Sequence, residues 1–401
     1  MGGRAGLLAR LADRSPPLPK LPRPPAASRG IAMVKRFHGR SRAISLALAV
    51  ALGLSAAAVW GNWLGARRAL YLDRRIHAVA SPAAGQVVQR GADGAARVIV
   101  AGRVGWLAQT VEAGFPRAAA PVIGESDWQS LGAASWTRFQ GALTLPTGCH
   151  RLLIRVGEPR PPQAFNHVEA YEVCVGEVFV IAGQSNAAGS CRVLFSAVSP
   201  LVRAGLIGDD GQMAWKLCSD PQVVNGGGSA WPLVGDALTK RLNAPVGFVN
   251  LAVGGSGVRD WRPGTPNFAR LAETLRRLQP QGARAVLWHQ GESDSGMTAD
   301  EYAAHLSAII AAAREAAGGD GPPWLVAQAS FKDGQRYDGP RAGQRRVCET
   351  GLARPGPDTD QLGLNLRQPD RVHFNEEGTR AAAQLWTRAI LTEIFHLPPE
   401  L

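Results

Sequence analysis

The chain reads as an α/β protein in which a three-layer α/β/α domain on a parallel sheet follows a small β-sandwich module and an amino-terminal membrane-targeting helix. Three patterns predict this. From residue 176, apolar strands alternate with amphipathic helices, the mark of a parallel sheet covered on both faces. Over residues 76–175, short runs of β-formers are separated by Gly, Pro and Asp. Between Ala43 and Ala66 no residue is charged.

Charge is distributed unevenly. Residues 1–75 hold 14 of the 44 Lys and Arg and only two of the 32 acids, Asp13 and Asp73, leaving 30 of each sign in the remainder. The formal charge of +12 therefore sits on the amino-terminal arm, and the neutral globular part argues against nucleic acid as a partner. Residues 1–42 read as a disordered basic arm, with Met33 opening a second candidate start. Residues 43–66 are long enough to enter a bilayer, which takes about 20 residues. Ten basic residues precede this run, and Arg67, Arg68, Arg74 and Arg75 follow it; this bias keeps the amino terminus cytoplasmic and exports the rest. Two outcomes stay open. Ala56-Ala57-Ala58 offers a signal-peptide cleavage site and a secreted product, whereas Trp60 and Trp63 suit an uncleaved anchor whose domains face the periplasm or exterior.

Each element has its own local evidence. "ARVIVAGRV", "RFQGALTLP" and "HRLLIRVG" read as strands of the β-sandwich module, residues 76–175. In the larger domain, residues 176–397, the strands are "EVFVIAG", "PVGFVNLAV", "ARAVLWHQ" and "PPWLVAQAS". The helices between them begin with "WPLVGDALTKRL" and a segment with Phe268, Leu271, Leu275 and Leu278 at helical spacing. Thr298 and Glu301 form a capping box for a helix that buries Tyr302, Leu306, Ile309 and Ile310 and stops near Gly318. A last helix starts at Asn375. Five cysteines (Cys149, Cys174, Cys191, Cys218 and Cys348) permit up to two disulfides and leave one thiol. No CxxC or HExxH occurs, so no metal is expected, and the serine chemistry read below needs no other cofactor.

The chemistry lies at the carboxyl ends of the strands, where open sheets of this kind bind ligands. "GQSN" follows the first strand of the larger domain, "GGSG" the next, "QGESD" the third, and "DRVHFN" precedes the last helix. A serine is a poor nucleophile until a histidine oriented by a carboxylate removes its proton. Ser185, His373 and Asp370 fill those roles, the last two only three residues apart. Oxyanion charge needs donors, which the backbone N–H groups of Ser185 and Gly255 can supply.

The blocks "GEVFVIAGQSN", "NLAVGGS", "WHQGESD" and "DRVHFNEEG" resemble those of the SGNH (GDSL-like) hydrolases, in the branch of carbohydrate O-acetyl esterases that includes sialate O-acetylesterase-like and acetylxylan esterase-like proteins. The likeness covers about residues 176–395 and implies a flavodoxin-like fold, Ser185 as nucleophile, Asp370 and His373 as the rest of the triad, and Gly255, or Gly254 by a one-residue slip, in the oxyanion hole. It also implies a side-chain amide donor from the third turn. Here Ser293 stands in place of the family's Asn, so Gln290 is expected to take over, with Ser293 as fallback. Glu292 is an alternative triad acid. Gln184, Asn186, Arg259 and Trp261 are candidate substrate contacts, an aromatic face beside charged groups suiting a sugar ring; Trp231 is equally open to a sugar-facing or a packing role.

These readings together predict a serine esterase that removes O-acetyl or other short-chain acyl groups from an acetylated carbohydrate through an acetyl-enzyme. Two alternatives use the same residues: a membrane-anchored O-acetyltransferase that passes the acyl group to a glycan hydroxyl, and a non-catalytic glycan-binding protein. The oligomeric state is left open.

Overall fold

The computed structural model describes residues 75–398 apart from 106–107, 109, 117–126, 158–166 and 209–212. The expected basic arm and membrane segment lie outside these residues. No helix among those described is long and apolar enough to cross a membrane.

The first part of the described chain is all β. Strands β1 (Ile76–Ser81), β3 (Ala95–Val104) and β6 (Arg138–Pro146) form a three-stranded antiparallel sheet. A second group comprises β2 (Gln86–Gln89), β4 (Thr110–Gly114), β5 (Gln129–Ala133), β7 (Gly148–Gly157) and β8 (His167–Gly183), antiparallel except where β2 runs parallel to β8. Alternating residues from both groups, among them Val98, Val100, Leu143 and Leu145 from one and Leu152, Ile154, Val173 and Val175 from the other, close a single apolar core. Cys149 and Cys174 lie opposite each other on β7 and β8 and form a disulfide; Cys191, Cys218 and Cys348 are unpaired.

The 17-residue strand β8 then runs on into the second sheet without a loop, so the boundary expected at residues 175–176 falls inside one strand. With β9 (Val202–Ile207), β10 (Met213–Leu217), β11 (Val246–Asn250), β12 (Ala285–His289), β13 (Trp324–Gln328) and β14 (Arg354–Asp358), it gives the order β10-β9-β11-β8-β12-β13-β14. All neighbours are parallel except β10, which pairs antiparallel to β9. After β8 comes one turn of helix, α1 (Ser185–Ala188). Helices α2 (Trp231–Leu242) and α6 (Glu376–Phe395) cover one face, with Val234, Leu238, Trp386 and Ile390 packed on Phe179, Ile181, Phe248 and Leu287. Helices α3 (Pro266–Arg277), α4 (Ala299–Ala316) and α5 (Asp338–Glu349) cover the other, where Leu271, Tyr302, Leu306 and Val347 meet Val180, Val249, Val286 and Trp288. The predicted caps form: Thr298 and Glu301 make the capping box of α4, and the Asn375 side chain accepts the Gly378 N–H at 2.8 Å to open α6.

A buried carboxylate locks the first part of the chain to the second. Glu177 on β8 is fully buried and accepts from Arg90 Nε at 2.6 Å, Gln89 Nε2 at 2.9 Å and Arg284 Nε at 2.6 Å. Its partners come from the last residue of β2, the residue directly after it, and the residue before β12, so one side chain on β8 ties two other segments to that strand. Glu177→Ala leaves two guanidinium groups facing each other without their shared anion. Because both arginines keep some contact with water, the expected loss is roughly 2–4 kcal/mol of folding free energy, measured by urea unfolding. A loss below about 0.5 kcal/mol would contradict this role for the cluster.

Candidate functional site

The site begins where β8 ends. Gly183 pairs with His289 on β12, and a Cβ built on it would lie 2.0 Å from the His289 carbonyl oxygen. Its φ of +136° is one that side-chain-bearing residues rarely adopt, so sterics and backbone both demand glycine here. The chain then turns into α1, where the carbonyl of the third residue, Ala187, accepts from Trp231 Nε1 at 2.7 Å and Asn250 Nδ2 at 3.0 Å. Trp231 is thus a buried brace of this turn and presents no face to a sugar.

Ser185, 8% exposed, stands at the start of α1. Its Oγ lies 2.9 Å from His373 Nε2, and His373 Nδ1 lies 2.9 Å from Asp370 Oδ2. Asp370 also accepts the N–H groups of Val372 and His373 through Oδ1, at 2.9 and 3.0 Å. Partial burial works to raise its pKa, but these hydrogen bonds and the imidazole outweigh it and hold the carboxyl below the usual aspartate value. The three residues expected to form a triad are therefore brought into one hydrogen-bonded chain. With Nδ1–H donating to the carboxylate, Nε2 is left as the acceptor for the serine proton.

The glycine turn lies against the serine: a Cβ on Gly254 would come 4.0 Å from the Ser185 Cβ. Gly255 follows at φ +75° with open space before it. Among the described residues, neither the Ser185 N–H nor the Gly255 N–H has an acceptor within the protein. Both are free to donate to a ligand.

The expected side-chain donor is corrected. Gln290 is fully buried, and its amide NH₂ faces three acceptors, Gln184 Oε1 at 3.0 Å, Ser256 O at 3.2 Å and an Asp294 carboxylate oxygen. Its two protons are spent inside the protein, while its Oε1 accepts from the Tyr302 hydroxyl at 2.9 Å. The fallback, Ser293, donates its hydroxyl to Gly255 O at 3.2 Å. Glu292 does not orient His373 either. It is 2% exposed and accepts from Asn186 Nδ2 at 2.8 Å; burial pushes its carboxyl pKa up, and its second oxygen has no partner.

Three of the four expected substrate contacts have other duties. Asn186 is buried with both ends of its amide engaged, Nδ2 by Glu292 and Oδ1 by the Phe374 N–H at 3.2 Å, so it ties the serine turn to the histidine loop. Trp261 is fully buried, edge-on to Trp288, with Nε1 donating to Ser256 Oγ at 3.0 Å. Arg259 reaches His305 at 3.3 Å and Glu301 at 3.5 Å on α4. The fourth, Gln184, is 3% exposed, and its Oε1 accepts from Gln290 Nε2, Gly291 N and Ser293 N.

Sequence reading missed Arg367. Its guanidinium stacks on Phe331 and Phe374, 4.3 and 4.6 Å from the ring centroids, and donates to the carbonyls of Leu362, Thr359 and Val372. It holds the loop that presents Asp370 and His373. Its place in "LNLRQPDRVHFN" carries no local signal of burial. Among the described residues, no three His, Cys, Asp or Glu side chains gather as a metal site.

Residues 175–392 match the protein family described as carbohydrate esterase, sialic acid-specific acetylesterase. A curated relative, described as a probable carbohydrate esterase of Arabidopsis thaliana, is 26% identical over 144 residues, covering 29% of this chain and 54% of that protein. The chain thus spans about half the length of that relative. Among solved structures, a carbohydrate acetylesterase from Xanthomonas citri superposes with a TM-score of 0.54 at 18% identity, over 78% of this chain and 74% of the other. At that identity the likeness is one of fold.

His289 is fully buried and bonds Thr359 Oγ1 at 3.1 Å. Burial, assisted by the nearby Arg367 charge, lowers its pKa from 6.5 to about 4. Between those values the unfolded chain takes up a proton that the folded ring refuses, so stability falls as pH drops through this window. The shift is equivalent to about 3 kcal/mol. His289→Gln is expected to flatten the difference in unfolding free energy between pH 7 and pH 4.5, read by urea titration at each pH. An equal pH dependence in both proteins would contradict it.

Proposed function

Because the chain belongs to the carbohydrate esterase, sialic acid-specific acetylesterase family, we propose that it is a serine esterase that hydrolyses O-acetyl esters of carbohydrates through an acetyl-enzyme. The observation that carries this reading is the Ser185–His373–Asp370 chain of two 2.9 Å hydrogen bonds, set beside two unoccupied backbone donors. In this mechanism Ser185 Oγ attacks the ester carbonyl carbon as His373 Nε2 takes the hydroxyl proton, and the carbonyl electron pair moves onto oxygen. The N–H groups of Ser185 and Gly255 receive that charge. Collapse of the tetrahedral species breaks the bond to the sugar oxygen, which leaves with the proton from His373, and the acetyl group stays on Ser185. Water, deprotonated by His373, then attacks the acetyl carbon; acetate departs and Ser185 recovers its proton. Asp370 keeps the Nδ1–H in place and balances the imidazolium in both halves. None of these steps calls for a cofactor.

The substrate is an acetylated sugar on this reading, with export across a membrane proposed from the sequence of residues 43–66. The purified full chain should release acetate from 4-nitrophenyl acetate and from an O-acetylated sialic acid or acetylated xylan. Ser185→Ala should lower the turnover by about four to six orders of magnitude while leaving the thermal unfolding midpoint in place. Turnover within about tenfold of the unchanged protein would overturn the mechanism. Recovery of the acetyl group on an added sugar, with no free acetate, would assign the protein to acyl transfer instead.

A further inference from the structure

We propose that the hairpin tip at Trp136, with Arg103 and Arg138 beside it, docks onto the surface of an anionic lipid bilayer. The inference is independent of the esterase reading and builds on the sequence pattern of residues 43–66.

Trp136 is a solvent-facing tryptophan at a place where the backbone disfavours a side chain. Ser135 and Arg138 exchange both backbone hydrogen bonds, at 2.9 and 3.0 Å, so Trp136 and Thr137 are the two central residues of a tight turn joining β5 to β6. Trp136 holds φ at +60° and Thr137 does not share a positive φ, a combination whose first position ordinarily belongs to glycine. A bulky residue in this region is a conformational outlier. Its ring gains little burial in return, because the residue is 80% exposed. Strain kept at an exposed position points to a use outside the fold.

The tip is flanked by arginines. Register sets Arg103 of β3 directly opposite Arg138 of β6, both exposed on the outward face of the three-stranded sheet. Like charges so placed repel. Neither has an ion-pair partner among the described residues, and β1, β3 and β6 contain no Asp or Glu. The Thr137 carbonyl accepts the Val104 N–H at 2.9 Å, which seats the turn against the end of β3. Beside it the Arg75 carbonyl accepts the Gly105 N–H at 2.9 Å, so β1 begins at this same corner. An exposed indole next to two guanidinium groups suits the boundary between water and a bilayer with anionic headgroups.

Chain length favours a bilayer over another polyanion. On the sequence reading that residues 43–66 enter a membrane, only residues 67–75 separate that run from β1, four of them arginine. Such a segment reaches at most about 35 Å when fully extended. The corner that carries Trp136 is thereby tethered within that reach of the headgroups, where a weak surface contact becomes an intramolecular one.

The full chain reconstituted in lipid nanodiscs tests this against Trp136→Gly, which relieves the turn and is expected to keep or raise the thermal midpoint. Subtracting the variant's fluorescence from that of the unchanged protein isolates Trp136 and cancels the other tryptophans, Trp60 and Trp63 included. In discs containing phosphatidylglycerol, the difference emission is expected to lie at short wavelength and to be lost when brominated lipid is included. Arg103→Gln combined with Arg138→Gln should weaken docking about 30-fold and restore the emission, as should high salt. Difference emission that ignores brominated lipid in phosphatidylglycerol discs overturns the proposal. A full chain that fails to enter the discs also overturns it, by removing the tether. A response of Trp136 to soluble polygalacturonate with none to the bilayer overturns it in favour of a glycan contact.

Discussion

At the carboxyl end of β8, the Gly183 Cα is pressed so closely on the His289 carbonyl that a single added carbon would stand 2.0 Å from its oxygen. This contact turns the chain out of the sheet at one defined place, and Ser185 follows two residues later. A strand buried on every side from Val173 to Gly183 cannot slide without exposing its apolar residues or stranding its backbone hydrogen bonds. Because β8 also carries Glu177 and half of the disulfide, the same strand anchors the β-rich part of the chain. A position set in that way is rigid enough for chemistry that tolerates little misplacement.

Around this point the polar groups form a closed network. Gln344 donates to the carbonyls of Gln290 and Ala329, the Tyr302 hydroxyl donates to Gln290, and Gln290 donates onward to Gln184. Side chains from α4 and α5 thereby tie the end of β12 to the end of β8. On the other side, Asn186 and Arg367 hold the histidine loop against the serine turn. Buried amides and a guanidinium are costly unless satisfied, and those of Gln290, Gln344, Asn186 and Arg367 find acceptors inside the protein. Among the described residues, the groups of this cluster without protein partners include the backbone donors of Ser185 and Gly255, the Gln184 NH₂ and one oxygen of Glu292.

Much of this was legible in sequence because it is local. Alternating strands and helices, the capping box at Thr298, and the three-residue spacing of Asp370 and His373 are all short-range patterns. What escaped is set at long range. Whether Gln290 faces the serine depends on Ser256, Tyr302 and Asp294, and only the last lies within one helical turn of it. Trp261 and Arg259 are adjacent in type and sequence to a plausible sugar platform, yet Trp288 on β12 covers the ring and α4 takes the guanidinium. Strand β14, "RPGPD", has almost no β-forming residues; it survives as an edge strand, where prolines forfeit no ladder bond on the open side. Glu292 shows the same lesson from the other direction: a carboxylate in the right turn is aimed at Asn186, and only the packed structure says so.

The central claim is that Ser185 is the activated nucleophile, and covalent capture tests it most directly. The full-length protein is treated with a serine-reactive fluorophosphonate, digested, and the modified residue located by peptide mass spectrometry. The account predicts one adduct, on Ser185, formed at a rate that collapses in His373→Ala. No adduct, or one on a neighbouring serine such as Ser190 or Ser256 with Ser185 unmodified, would contradict it.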